Sequence, residues 1–102
     1  MITHIGSYYP KDYEAITANA VVALTAATYN AAANGAKECR AFITLETNQI
    51  RYTLDGTTPS STVGHLLNPD ESLVLENMSQ IRGFQAIKVA NDASLKVTYF
   101  VR

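Results

Sequence analysis

The chain contains little of what most catalytic and metal-binding sites are built from. Its 102 residues include one cysteine, Cys39, and no tryptophan. A single cysteine excludes an internal disulfide and a thiolate metal cluster. Because Cys39 falls in an alternating apolar pattern, we expect a buried small hydrophobe rather than a nucleophile. The missing tryptophan weakens the case for a platform on which sugars stack.

Charge is scarce as well. Charged residues make up 17% of the chain, with 8 Lys+Arg and 9 Asp+Glu interspersed. No basic stretch of the kind that phosphate backbones require is present, so nucleic-acid binding is not expected. No glycine-rich phosphate loop followed by lysine appears either, which argues against a nucleotide enzyme. A weakly charged surface suits a protein that packs against neighbours.

Long apolar runs are missing too. The first residues, MITHIGSYYPKDYEAI, lack a basic start followed by a continuous apolar segment, and no run approaches the length that spans a bilayer. We therefore expect synthesis and folding in a cytoplasm, without membrane association. A chain of this length predicts one domain with a modest core, to which partner subunits would add stability.

From residue 37 onward, apolar residues recur at every second position, which is typical of half-buried strands. Phe42 is the exception in KECRAFITLE, and Phe100 breaks the polar row of SLKVTYFV, so we expect the outer face at the C-terminus to be covered. Thr47-Asn48 and Asn91-Asp92 predict the turns of two hairpins. The inner row of the last strand is predicted to be Leu95, Val97, Tyr99 and Val101.

The N-terminal third is harder to interpret. Residues 1–18 carry Tyr8, Tyr9 and Tyr13 without helical or strand periodicity, which predicts an extended arm whose tyrosines lie across a protein surface. Residues 15–34 are ambiguous, since alanine favours a helix while the β-branched residues favour a strand. We choose a strand for about 20–29.

These signals together predict an all-β fold: an antiparallel β-sandwich or small barrel, immunoglobulin-like or jelly-roll-like, of about six to seven strands. The arm would be residues 1–18 and the single β-sandwich domain residues 19–102. Residues 77–82, NMSQIR, predict one helical turn capped by Gly83.

One stretch, IRYTLDGTTPSSTVGHLL, carries an aspartate, a histidine and several hydroxyls. Catalysis would need a base held against a hydroxyl and a third group orienting that base, and proximity in a turn does not supply this geometry. Asp55-Gly56 is a strong reverse-turn signal, and Pro59 extends the chain beyond it. We expect His65 to begin the return strand with a ring nitrogen bonded to a backbone carbonyl. We therefore expect no catalytic residue, cofactor site or metal site.

The same residues carry a family resemblance. An arm, the segment FITLETNQIRYTLDGTTPSSTVGHLL, a turn written NPDESLVL and the ending FQAIKVANDASLKVTYF, within about residues 39–100, resemble small structural proteins of tailed bacteriophages. The piece YTLDGTTP also resembles a hairpin of immunoglobulin-like accessory domains appended to sugar hydrolases.

The phage resemblance implies a non-enzymatic virion component made in many copies, with capsid decoration or cement as the leading role. It implies a place on the capsid surface, the major capsid protein as partner, homo-oligomers with a trimer favoured, and no small-molecule substrate. The interface residues that we predict are Tyr8, Tyr9, Pro10, Tyr13, Thr57, Thr58, Pro59 and Phe100.

Two alternatives stay open. A tail or neck component of the same virion would have the same composition. A carbohydrate-binding accessory domain would show an exposed aromatic row on a sheet face. For the arm, we expect a chain lacking residues 1–13 to fold and to lose binding to shells.

Overall fold

The computed structural model describes residues 7–102, and its chain forms two four-stranded antiparallel sheets. In chain order the strands are β1 (Tyr9–Ala18), β2 (Val22–Ala23), β3 (Cys39–Thr47), β4 (Ile50–Thr53), β5 (His65–Leu67), β6 (Ser72–Leu75), β7 (Gln85–Lys88) and β8 (Ala93–Val101). The helices are α1 (Ala26–Ala33) and α2 (Met78–Gly83). The first sheet has the order β1-β8-β3-β6 and the second β2-β7-β4-β5. The described strands number eight rather than six to seven, and the two sheets are compatible with the predicted all-β sandwich.

The centre of the first sheet is the long antiparallel pair of β3 and β8. The predicted inner row of β8 is confirmed, because Leu95, Val97, Tyr99 and Val101 are all fully buried. Across the ladder they face the inner row of β3, in which Cys39 is buried as predicted. Residues from the second sheet, among them Ile50, Leu67 and Ala86, complete one shared core.

Both predicted hairpins are wrong in their pairing. β3 and β4 lie in different sheets, and so do β7 and β8, so each short turn crosses from one sheet to the other. Alternation reports which face of a strand is buried and does not report its pairing partner. Asn48, at a positive φ of 60°, bends the first crossing. Its side-chain amide donates to the Asp92 carbonyl oxygen of the second crossing at 2.8 Å, which joins the two crossings at one end of the molecule.

The predicted arm is wrong for most of its length. Tyr9–Ala18 is strand β1, which pairs with β8 from Tyr9↔Val101 to Ala18↔Ala93 and forms an edge of the first sheet. Residues 1–6 lie outside the described part of the chain. A deletion of residues 1–13 would therefore remove half of edge strand β1. The structure thus gives no reason to expect that the shortened chain folds.

The predicted strand at 20–29 is also wrong, apart from Val22–Ala23. The chain turns into α1 at Ala26, as its alanines favour. Glu14 stabilises the start of this helix, because its side chain lies in the inner row of β1 opposite Val97 and reaches Thr25. Its carboxylate accepts from the Thr25 backbone N–H at 3.2 Å and from the Thr25 hydroxyl at 2.5 Å. These bonds satisfy donors that a helix N-terminus leaves free.

Tyr99 completes this group. Its hydroxyl donates to Glu14 Oε2 at 2.5 Å, so β8, β1 and α1 meet at one carboxylate. Burial, followed by the hydrogen bond to Glu14, raises the pKa of Tyr99 far above its ordinary 10.0. The predicted turn at 77–82 is confirmed as α2, whose N-cap Asn77 accepts from the Gln80 N–H through its side-chain oxygen.

We expect alkaline instability that depends on Tyr99. Since its folded pKa is raised, its contribution is fully present below about pH 10 and is lost as pH rises, because the unfolded chain releases the proton first. The urea midpoint should fall steeply above about pH 10, and less steeply in Tyr99→Phe. Burial also raises the pKa of Cys39, so part of the dependence of the urea midpoint on pH should remain in Tyr99→Phe. At neutral pH the lost hydrogen bond should cost about 1–3 kcal/mol.

Tyr13→Phe is the matched control, because Tyr13 is 60% exposed and its loss of a hydroxyl should leave both stability and slope unchanged. Equal slopes in the wild type and Tyr99→Phe would show that this tyrosine does not carry the alkaline transition.

Candidate functional site

The side chains of the first sheet that point away from the core form two unlike halves, which we call together the outer face. In the ladder, Pro10 lies opposite Phe100, and Phe100 opposite Arg40. The polar half consists of Ala15, Thr17, Thr44, Ser72, Ser94 and Lys96. The aromatic half consists of Pro10, Tyr13, Arg40, Phe42, Val74, Thr98 and Phe100.

Aromatic side chains are held on this surface by the register itself. Tyr13 lies opposite Thr98, which lies opposite Phe42, so two aromatic rings flank one threonine across three strands. Tyr13 is 60% exposed, whereas Phe42 and Phe100 are half-buried by their neighbours. None of the three belongs to the core or packs against it. A contiguous surface of this kind is typical of a site that contacts another molecule.

Tyr8 borders the aromatic half and carries a small charge cluster. The guanidinium carbon of Arg40 lies 4.4 Å from the centre of the Tyr8 ring, and that of Arg102 lies 5.4 Å from it. The Tyr8 hydroxyl donates to Glu38 Oε2 at 2.8 Å, and Arg102 Nε donates to the same oxygen at 2.5 Å. The bond from Tyr8, followed by the bond from Arg102, lowers the pKa of Glu38. Partial desolvation and the Glu38 bond raise the pKa of Tyr8.

A shallow concavity lies beside Tyr13 on this sheet, with a volume of ≈ 270 Å³. Its surface is mostly apolar, and its lining residues are Pro10, Lys11, Asp12, Tyr13 and Thr98. β1 bulges between Pro10 and Asp12, which places Lys11 outside the regular pairing. The bulge bends the strand locally, next to the exposed ring of Tyr13 and the concavity.

The predicted interface residues fall into separate places. Pro10, Tyr13 and Phe100 lie together on the outer face, with Tyr8 at its border. Tyr9 pairs with Val101 of the inner row and so points to the other side of the sheet, 55% exposed.

The remaining predicted contacts lie in the other sheet, on the loop between β4 and β5. Thr57 and Thr58 are exposed there. Pro59 is fully buried, so it is not a contact residue.

Sequence reasoning missed Arg40, Phe42 and Val74 as members of the surface. For Phe42 a signal existed, because it interrupts the polar row of its strand as Phe100 does in β8. Arg40 looked like an ordinary outward charge. Its place beside Tyr8 and Phe100 follows from the pairing of three strands that are distant in sequence.

The cluster that a catalytic interpretation would use does come together around a second concavity. Its volume is ≈ 300 Å³, and its lining residues are Thr53, Leu54, Asp55, Thr57, Gly64 and His65. Asp55 Oδ1 accepts from the Thr57 backbone N–H at 3.0 Å, and Gly56 has a φ of 88°, which confirms the Asp-Gly turn. Hydrogen bonding from Thr57, through its side chain and then its backbone, lowers the pKa of Asp55.

His65 does begin β5, as predicted, but its expected bond to a carbonyl does not occur among the described residues. Its ring centre lies 5.4 Å from that of Tyr52. Within residues 7–102 no hydrogen bond links His65 to Asp55 or to a hydroxyl, so the cluster lacks the relay that nucleophilic catalysis needs.

Nowhere between residues 7 and 102 do three or more His, Cys, Asp or Glu side chains gather in a way that could hold a metal ion. In the same part of the chain, neither helix has the length and apolar character needed to cross a membrane.

No known protein family, curated protein or solved structure matches this chain. These comparisons therefore give no support to the predicted likeness to phage structural proteins.

The Tyr8 cluster can be checked by titration. In a ¹³C NMR titration, the Glu38 carboxyl should have a midpoint below its ordinary 4.5. Tyr8→Phe should raise that midpoint toward the ordinary value, because it removes the largest lowering contribution and keeps the ring on Arg40. Tyr13→Phe removes a hydroxyl that does not contact Glu38 and should change nothing. A midpoint that is the same in wild type and Tyr8→Phe would contradict the hydrogen bond.

Proposed function

We propose that this chain is a non-enzymatic structural protein of a tailed-phage virion, and that its leading role is capsid decoration. The observation that carries the proposal is the aromatic half of the outer face, which the described chain leaves uncovered. Such a surface gains free energy when a partner covers it. The resemblance of residues 39–100 to phage structural proteins supplies the setting, with the major capsid protein as partner and a β-sandwich of immunoglobulin-like or jelly-roll type as the fold.

An apolar patch of the size usual for a monomer suits a protein that acts in many copies. Covering about 300 Å² of apolar surface contributes about 7 kcal/mol. Association itself costs roughly 4–15 kcal/mol. One such contact is therefore weak, and stable attachment needs several contacts at once. A homo-oligomer, with a trimer favoured, would supply them on a repeating shell, because linked contacts multiply affinity.

Low charge is consistent with this mechanism. The described chain has three surface ion pairs, Lys88–Asp92, Lys96–Glu46 and Arg102–Glu38. The outer face carries two charged side chains, of which Lys96 is paired and Arg40 is not. Few charges remain to be desolvated when a partner covers the outer face. A tail or neck location would use the same surface. An image of the intact particle, showing this chain on the shell or along the tail, distinguishes the two locations.

A carbohydrate-binding domain is the second candidate, and one observation favours it. Tyr13 presents an exposed ring on a sheet face, as stacking against a sugar requires. Phe42 and Phe100 are half-buried and offer less of their ring faces. Glycan binding by the isolated protein would support this candidate over the capsid role.

We expect Tyr13→Lys to weaken binding to expanded shells that were assembled without this chain, by about tenfold or more. The lysine removes an exposed aromatic contact and adds a charge that the partner would have to desolvate. The free energy of unfolding from urea titration should stay within about 0.5 kcal/mol of wild type, because Tyr13 is exposed. Cosedimentation with shells measures the binding.

Thr17→Lys is the matched control: the same strand, the same face, an exposed position and the same new side chain, but in the polar half. It should bind as wild type does. The proposal fails if Tyr13→Lys also binds as wild type, or if both variants lose binding equally, since charge alone would then be responsible.

A further inference from the structure

Arg40 is a cation without a carboxylate partner in the described chain. The three ion pairs of residues 7–102 use other cations. Glu38 lies near enough for the Arg40 charge to lower its pKa, but its Oε2 already accepts from Tyr8 and Arg102. The Nε atom of Arg40 is buried and has no hydrogen-bond partner among these residues.

Arg40 Nε and Arg51 Nε are the two orphaned side-chain donors of this kind among the described residues, and of these Arg40 belongs to the outer face. A buried N–H without an acceptor costs about 1–3 kcal/mol, and such groups in folded proteins call for an explanation. The guanidinium is held in place, because the Tyr8 ring covers one of its faces at 4.4 Å. Stacking of this kind fixes the plane and leaves the N–H groups along its edge for an acceptor.

A carboxylate is the acceptor that fits. Its two oxygens match two parallel N–H groups of a guanidinium, and the pairing is charge-assisted. A phosphate fits less well, because one arginine beside Glu38 offers little positive potential for a doubly charged group. The surroundings of Arg40 are apolar: Phe100 is its neighbour on β8 and Pro10 lies one strand further.

We propose that the aromatic half binds an extended protein segment carrying an acidic side chain, which pairs with Arg40, and an apolar side chain, which enters the concavity beside Tyr13. This inference rests on the proposed function and specifies the chemistry of the partner. The concavity lies at β1 and β8, and Arg40 lies on β3, two strands from β1. Strands are about 4.8 Å apart, so the two anchors are about 10 Å apart. A segment in the polyproline II conformation, with about 3.1 Å per residue and three residues per turn, places the side chains of residues i and i+3 on one side at about this separation. The partner's motif is therefore apolar–x–x–acidic, read in either direction.

Two variants test Arg40 on shells. Arg40→Met keeps the length of the stem and removes every donor, and Arg40→Lys keeps the charge and removes the planar fork. We expect both to reduce shell binding by about tenfold. The urea midpoint of Arg40→Met should equal or exceed the wild-type value, because the orphaned donor is gone. A lower midpoint with unchanged binding would assign Arg40 to folding and overturn the inference.

A peptide experiment tests the ligand chemistry directly. The probes are acetyl-Phe-Ser-Ser-Glu-amide and the same peptide ending in Gln-amide, each added to ¹⁵N-labelled protein. The glutamate peptide should shift the Arg40 Nε–H resonance and saturate with a Kd of roughly millimolar size, and the glutamine peptide should not. Equal shifts with both peptides, or none with either, would overturn the acidic motif.

The outcomes separate the two proposals. If Tyr13→Lys loses shell binding while both Arg40 variants bind fully, the capsid role is supported and the pairing of Arg40 with a carboxylate of the partner is rejected. Full binding by all three variants would reject both the capsid role and the acidic partner segment. Loss in all three, together with the glutamate-specific shift, is the expected result.

Discussion

The two-residue period of side chains along β3 and β8 is the constraint on which the rest of the molecule depends. These strands pair along most of their length, and every inner residue of β8 is at most 1% exposed. A slip by one residue would send Arg40 and Lys96 into the core and expose Tyr99. Burial of the inner row therefore determines the outer row as well. Phe42 and Phe100 lie on the outer face because their neighbours along the strand point into the core, and successive side chains of a strand point in opposite directions.

Glu14 is one of two acidic side chains in the inner row of β1, the other being Asp12, and it connects the N-terminal third to that core. Its carboxylate joins Tyr99 on β8 to Thr25 at the start of α1. A carboxylate facing a core is costly unless hydrogen bonds satisfy it, and here a phenol, an amide and a hydroxyl all donate to it. β1 is thereby held in a defined position, and with it Pro10 and Tyr13 on the opposite side of the strand. The shape of the outer face depends on a network beneath it.

Sequence reasoning predicted what depends on neighbouring residues. The inner rows, the buried cysteine, the Asp-Gly turn and the helical turn at 78–83 all follow from local spacing. Sheet membership did not, because a turn of two or three residues serves equally to make a hairpin or to cross between sheets. β1 looked like an arm because its inner row contains Glu14, which interrupts the apolar alternation. Within the candidate site, the sequence identified Tyr13 and Phe100 as candidate interface residues. It could not identify Arg40, because the contact of Arg40 with Tyr8 joins residues 32 positions apart.

Beside the concavity, the first sheet offers a partner two routes, its edge strand β1 and its outer face, and the structure favours the face. Free edges of sheets attract other strands unless the chain blunts them. β1 carries three such devices: Pro10, which lacks an N–H; a bulge at Lys11; and the inward charge of Glu14. The outer face has no comparable protection in its aromatic half, where Tyr13 is more exposed than any other large apolar side chain of the described residues. A partner would therefore lie across the strands rather than extend the sheet. Crossing the strands brings one segment over both the concavity at β1 and the guanidinium on β3.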